Sequence, residues 1–124
     1  LNMLWQKLAV NCVINPISAI NNATNQIVLN KENKPLIRNI LEEFITIAAQ
    51  HQVDFELERI TQIVLNVADL TKENICSTLA DIRANKKSEI DYLNGFIHSE
   101  GKRLGIATPA NSRMWQQVKQ LSSV

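Results

Sequence analysis

The segment KLAVNCVIN, residues 7–15, sets Lys7, Asn11 and Asn15 four residues apart inside an otherwise apolar run. On a helix of 3.6 residues per turn such positions stack nearly above one another, so the three polar side chains share one narrow face and span about 12 Å of axis. Leu4, Trp5, Leu8, Ala9, Val10, Cys12, Val13 and Ile14 cover most of the remaining circumference. That pattern predicts a helix over residues 2–14 that is central to a core rather than amphipathic at a surface. A buried amide without a partner costs about 1–3 kcal/mol, and an unpaired ammonium more, so the stripe needs polar company. Two readings stay open on spacing alone. Either the stripe faces solvent and Asn15 ends the helix before Pro16, or it lines a cleft in which all three groups touch one ligand.

Outward from this helix the chain reads as helical throughout, with three glycines and three prolines as punctuation and no period-two strand. The segment ISAINNATNQIVL after Pro16 reads as a short helix followed by a turn. Lys34-Pro35 opens a second helix, proline being tolerated in a first turn, and Leu36, Ile37, Ile40, Leu41, Phe44, Ile45 and Ala48 carry it to about His51. Asp54 is the expected N-cap of a third helix through Ile60, Ile63, Val64 and Val67, and DLTKEN supplies a loop and a further start. In SEIDYLNGFIHSEGKRLG, residues 88–105, Ser88-x-x-Asp91 is a relative of the capping box, with Glu89 in the first turn where the helix dipole favours an acid. Asp91 is expected to cap this helix, Asn94 to tie it to a loop, and Gly95 to permit close packing. The helix stops near Gly105, and Thr108-Pro109 starts the last one through Met114, Trp115, Val118 and Leu121.

A chain of 124 residues, 45% hydrophobic, suits one domain with a real core. Thirteen Lys and Arg against twelve Asp and Glu lack the basic excess of a nucleic-acid binder. No run approaches the roughly 20 apolar residues that cross a bilayer. Cys12 and Cys76 sit in apolar sequence without metal-ligand spacing, so packed, reduced thiols of a cytoplasmic protein are expected, with no metal. The opening at Leu1, directly on a core helix and without an initiator methionine, suggests a fragment of a longer protein. His51 and His98 are isolated and read as structural; Trp5 and Trp115 read as core or interface anchors. The default role of Ser77 is a helix cap, and that of Asn111 a first-turn residue. With no G-x-G-x-x-G after a strand, any redox role must borrow its dinucleotide site.

The order WQKLAVNCVINPISAI, CSTLADIRANKKSEIDYLNGF, GIATPANSRM, across essentially the whole chain, resembles the C-terminal domain of ketopantoate reductase (2-dehydropantoate 2-reductase). S-E-I-D-x-x-N-G at residues 88–95 followed by G-I-x-T-P-x-N at 105–111 separates that family from other hydroxyacid dehydrogenases with helical second domains. The resemblance implies an all-α, compact multi-helix domain of the 6-phosphogluconate dehydrogenase C-terminal-like type over residues 1–124, with the N-terminal Rossmann NADP-binding domain absent from this chain. It implies NADPH-dependent reduction of ketopantoate to pantoate, a cytoplasmic step toward pantothenate and coenzyme A, in a cleft between the two domains. The polar stripe would line that cleft. Lys7 matches the family's catalytic lysine, and Asn11 and Asn15 its substrate-binding asparagines. Ser77 matches a serine at the substrate carboxylate. Glu89 matches an acidic residue that orients the lysine or contacts the cofactor ribose.

The chain departs from the family where many members read Ser-Met-x-Gln-Asp and it has Ser77-Thr78-Leu79-Ala80-Asp81, which predicts a differently shaped segment around Ser77. The fragment alone is expected to be inactive, since the pyrophosphate site lies on the other half. The implied partners are ketopantoate, the chain's own Rossmann domain and a second copy in a homodimer, with no nucleic acid and no membrane. The competing readings are a reductase of another 2-keto acid and a non-catalytic helical dimerisation module.

Overall fold

The first helix does not end at Asn15. In the computed structural model, which describes residues 2–122, α1 runs Asn2–Ile20 straight through Pro16. Its course corrects the boundary expected at residue 14. Proline inside a helix withholds the N–H that would reach the carbonyl four residues earlier, here that of Cys12. The side chain of Asn94 supplies the missing donor, its Nδ2 lying 3.0 Å from the Cys12 oxygen. A remote amide thus lets the helix continue where local sequence predicts a stop.

α1 is the spine of an all-α domain and packs against α2 (Lys34–Ala49), α3 (Leu57–Leu70), α4 (Ser77–Arg83) and α6 (Pro109–Leu121). α5 (Asn94–Leu104) lies chiefly on α6 and α2. No strand occurs among the described residues. From Ala9 to Ala19 nearly every α1 side chain is buried, whereas Asn2, Met3, Leu4, Gln6 and Lys7 are exposed. α2 buries Ile37, Ile40, Leu41, Phe44 and Ala48 as its three-and-four spacing predicts, adds Ile47, and leaves Leu36 and Ile45 half-buried. Each of the isoleucine, leucine and phenylalanine side chains stabilises the fold by about 1.5–3 kcal/mol on full burial. Trp5 closes one end of the core, with ring centroids 6.0 Å from Phe44, 6.0 Å from Phe96 and 5.0 Å from His51.

Two other helix starts differ from expectation for a shared reason, the packing of remote groups. α3 begins at Leu57 with Glu56, in extended backbone, as N-cap, not at Asp54: residues 53–56 form no regular element and Val53 drops into the core. The segment 88–105 is not one helix. Ile90–Tyr92 form a single 3-10 turn, Leu93 breaks the chain direction (φ −105°, ψ −104°), and α5 starts at Asn94. Ser88 Oγ accepts only a weak bond from Ile90 N–H at 3.4 Å. Asp91 does not cap: its Oδ1 accepts from Trp115 Nε1 at 2.8 Å and from Lys119 Nζ at 3.1 Å. The indole N–H foremost, with the Lys119 ammonium, holds the Asp91 carboxyl below the usual carboxylate range. The far end of α5 matches expectation, with Gly105 as a left-handed C-cap (φ 72°), and Thr108-Pro109 opens α6.

Candidate functional site

Of the five residues singled out from the sequence, Asn15 is buried, Asn11 is half-buried, and Lys7, Ser77 and Glu89 are exposed. Asn15 is 6% exposed and donates through Nδ2 to Thr78 Oγ1 at 3.0 Å and Ser77 Oγ at 3.3 Å. Residues 62 positions apart in sequence are therefore in contact, as a shared site requires. Ser77 itself is exposed, and it is the first residue of α4, not its cap. The cap is Cys76, whose Sγ accepts the Leu79 N–H at 3.4 Å and donates to the Asn15 carbonyl at 3.6 Å. One thiol thus starts α4 and docks it on α1. Burial pushes that thiol's pKa up, which suits a packing role.

Asn11 is half-buried and Lys7 exposed, one and two helical turns from Asn15 along the same face. Among the described residues neither has a hydrogen-bond or ion-pair partner. The stripe is graded, from an enclosed carboxamide to an open ammonium. The face thus presents an inner carboxamide hydrogen-bonded within the protein and an outer ammonium open to solvent. Glu89 is exposed just ahead of the 3-10 turn, and no ion pair joins it to Lys7 among the described residues. A groove of about 440 Å³ lies elsewhere, between α2 and α3, lined by Ile37, Leu57 and Leu65. None of the five residues lines it.

The family model described as "Ketopantoate reductase PanE/ApbA C terminal" matches residues 1–122. The chain belongs to this family. It is 42% identical over 120 residues to the 2-dehydropantoate 2-reductase of Shigella flexneri, covering 97% of this chain and 39% of that protein. With the enzyme of the same name from Vibrio cholerae it shares 37% over 118 residues, covering 95% of this chain and 40% of the relative. A PanE/ApbA family ketopantoate reductase from Ralstonia eutropha JMP134 superposes with a TM-score of 0.89 at 30% identity, covering 97% of this chain and 40% of that one. A D-mandelate dehydrogenase, solved with NADH and anilino(oxo)acetate, shares the fold at a TM-score of 0.91 and 22% identity, covering 97% of this chain and 51% of that one. The chain thus spans about two fifths of the length of the curated ketopantoate reductases it matches, and it is the C-terminal domain of that family.

Three groups close to the ketopantoate reductase stripe were not singled out as site residues. Thr78 is buried and takes the shorter of the two Asn15 hydrogen bonds. Asn94 and Asn111, both fully buried, connect α1 to α5 and α6. Their signal was present as the two asparagines of the family phrases, but no local pattern says which carbonyl a buried amide will meet. The histidines, read from the sequence as isolated, have partners in the fold: His51 Nε2 is 2.7 Å from Glu100 Oε1, and His98 Nδ1 is 2.6 Å from Ser112 Oγ.

Proposed function

We propose that this domain is the substrate-binding and catalytic-lysine half of an NADPH-dependent 2-dehydropantoate 2-reductase, acting in a cleft shared with an N-terminal Rossmann domain. The observation that carries the reading is Lys7, an exposed and unpartnered ammonium at the outer end of a polar stripe whose inner end is docked on Ser77. The relatives named 2-dehydropantoate 2-reductase support the substrate class. The reaction would serve pantothenate and coenzyme A synthesis in the cytoplasm. A homodimer belongs to the same reading, in line with a ketopantoate reductase of this fold from Staphylococcus aureus that is described as dimeric.

A ketone that gains an electron pair at carbon develops alkoxide character at oxygen, and that oxygen needs a proton donor. Lys7 Nζ donates a hydrogen bond to the ketone oxygen and then its proton, leaving a neutral amine and a hydroxyl product. Asn11 and the accessible edge of Asn15 bind the substrate hydroxyl, while Ser77 Oγ, steadied by Asn15, donates to the carboxylate. Bound NADPH supplies the hydride. The domain fits only the edge of such a cofactor. Of its glycines, Gly95 and Gly101 are filled in by Trp115 and by Ile106 and Thr108, and Gly105 caps a helix, so none leaves a cradle for a pyrophosphate. Exposed Glu89 is suited to a ribose hydroxyl.

The test uses the full-length protein with ketopantoate and a panel of other 2-keto acids. Lys7→Ala should lower kcat about 10²–10⁴-fold, the usual contribution of a general acid, without moving the unfolding transition. Asn11→Ala should chiefly raise KM. Near-normal turnover by Lys7→Ala, or another keto acid preferred over ketopantoate, would overturn the assignment.

A further inference from the structure

The hydrogen bond that α1 lacks, between residues 16 and 12, overlaps the inner end of the stripe. Pro16 leaves the Cys12 carbonyl without its ladder partner, and Cys12 lies between Asn11 and Asn15. The missing rung runs from residue 16 to residue 12, one step beyond the rung that ties Asn15 to Asn11, so it falls at the inner end of the stripe, where Asn15 meets Ser77. That rung is made by Asn94 of α5, through Nδ2 at 3.0 Å.

The orientation of the Asn94 amide is fixed by a chain of acceptors. Asn111 Nδ2 lies 3.1 Å from the Ile40 carbonyl and 2.9 Å from Glu43 Oε1, and neither acceptor can donate. Asn111 must therefore turn its Oδ1 toward Asn94, which meets it with Nδ2 at 2.9 Å. The same Nδ2 serves the Cys12 carbonyl. Asn94 Oδ1 is left buried with no partner among the described residues. A protein tolerates such an orphan where the remaining bonds over-determine the geometry.

We infer that Asn94 is a positioning residue for the proposed reaction: it stands in for the N–H that Pro16 lacks and so sets Lys7 and Asn11 in register with Asn15 and Ser77. The inference rests on the functional reading given above. A substrate held at Ser77 and Asn15 depends on this joint to bring its ketone to Lys7, and small misplacements of a catalytic group cost about 10²-fold in rate.

The test is a double-mutant cycle in the full-length enzyme, with Asn94→Ala, Pro16→Ala and both together, each assayed for kcat, KM and thermal unfolding. Pro16→Ala restores a backbone N–H opposite Cys12 and should stay within about threefold of the parent. Asn94→Ala should lower kcat about 10- to 100-fold well below its unfolding temperature, a loss that a purely structural role would not produce in the folded protein. Adding Pro16→Ala to Asn94→Ala should recover at least tenfold of that kcat. The inference is overturned if folded Asn94→Ala keeps its kcat, or if the double variant is no better than Asn94→Ala in folding and turnover. Failure of the underlying reading is separable. In that case Lys7→Ala is as active as the parent, while the Asn94–Pro16 coupling persists in the unfolding temperatures.

Discussion

Glu43 should be among the most costly surface-reaching residues to replace. Its carboxylate sits over the first turn of α6, accepting from Ala110 N–H, Asn111 N–H and Asn111 Nδ2, each at 2.9 Å. Thr108, the nominal N-cap of that helix, makes no side-chain capping bond, so Glu43 does the capping from α2. A single N-cap is worth about 1 kcal/mol, and a hydrogen bond to a charged acceptor about 1.5–3 kcal/mol net. Three bonds to one carboxylate are not additive, and Glu43 is only half-buried, so water replaces part of what is lost. Asn111 Nδ2 also keeps its bond to the Ile40 carbonyl. Between a floor near 1 and a ceiling near 5, the expected cost of Glu43→Gln is about 3 kcal/mol. The glutamine oxygen can stand in for Oε1 toward both Asn111 donors, but it is uncharged and its NH₂ then faces the Ala110 N–H. Urea unfolding of the chain should show a lower midpoint with unchanged slope, and the unfolding temperature should fall by about 10–15 °C for a domain of this size. A loss below about 1 kcal/mol would refute the claim that a remote carboxylate caps α6.

Three further outcomes follow from side chains away from the stripe. In Gly95→Ala the new Cβ would lie 2.8 Å from Trp115 Nε1 and 3.2 Å from the Ile90 carbonyl, so the indole must leave Asp91; a loss of about 1–3 kcal/mol in urea unfolding and altered tryptophan emission are expected, and parental values for both would refute the close approach. Glu100 has its pKa drawn from 4.5 to about 2, first by hydrogen bonds from the Arg103 guanidinium and then by His51. The folded value is the lower one, so its contribution is present above pH 4.5 and lost as pH falls through 2; Glu100→Gln should flatten the acid limb of a stability-versus-pH profile, and an unchanged limb would refute the pairing. Cys12 and Cys76 are both free and buried, and burial raises both thiol pKa values. A disulfide-exchange reagent should label neither at neutral pH in the native chain and two thiols after unfolding, whereas rapid native labelling would contradict their packing.

Most of the helices were legible because helical periodicity is a local property. The apolar spacing of α2, the Thr108-Pro109 start of α6 and the Gly105 stop of α5 involve groups within a turn or two of one another. The polar stripe was legible for the same reason, its three members being neighbours on one helix face. The expectations that failed are those a distant group decides. Local sequence predicts a stop at Pro16 because its neighbours offer no donor for the Cys12 carbonyl, and the donor comes from Asn94, 82 positions away. Local sequence predicts Asp91 as a cap, whereas in the fold Trp115 and Lys119 take its carboxylate.

The sequence by itself determined an all-α chain, its family, and one helix face bearing an ammonium and two carboxamides, because residue spacing along a helix fixes which side chains share a face. Only the tertiary structure decided that α1 passes through its proline, that Asn15 is held against Ser77 and Thr78, and that Glu43 caps α6. Each of these depends on a polar group finding a partner in another element. Burial makes those partners obligatory, but packing alone chooses which they are.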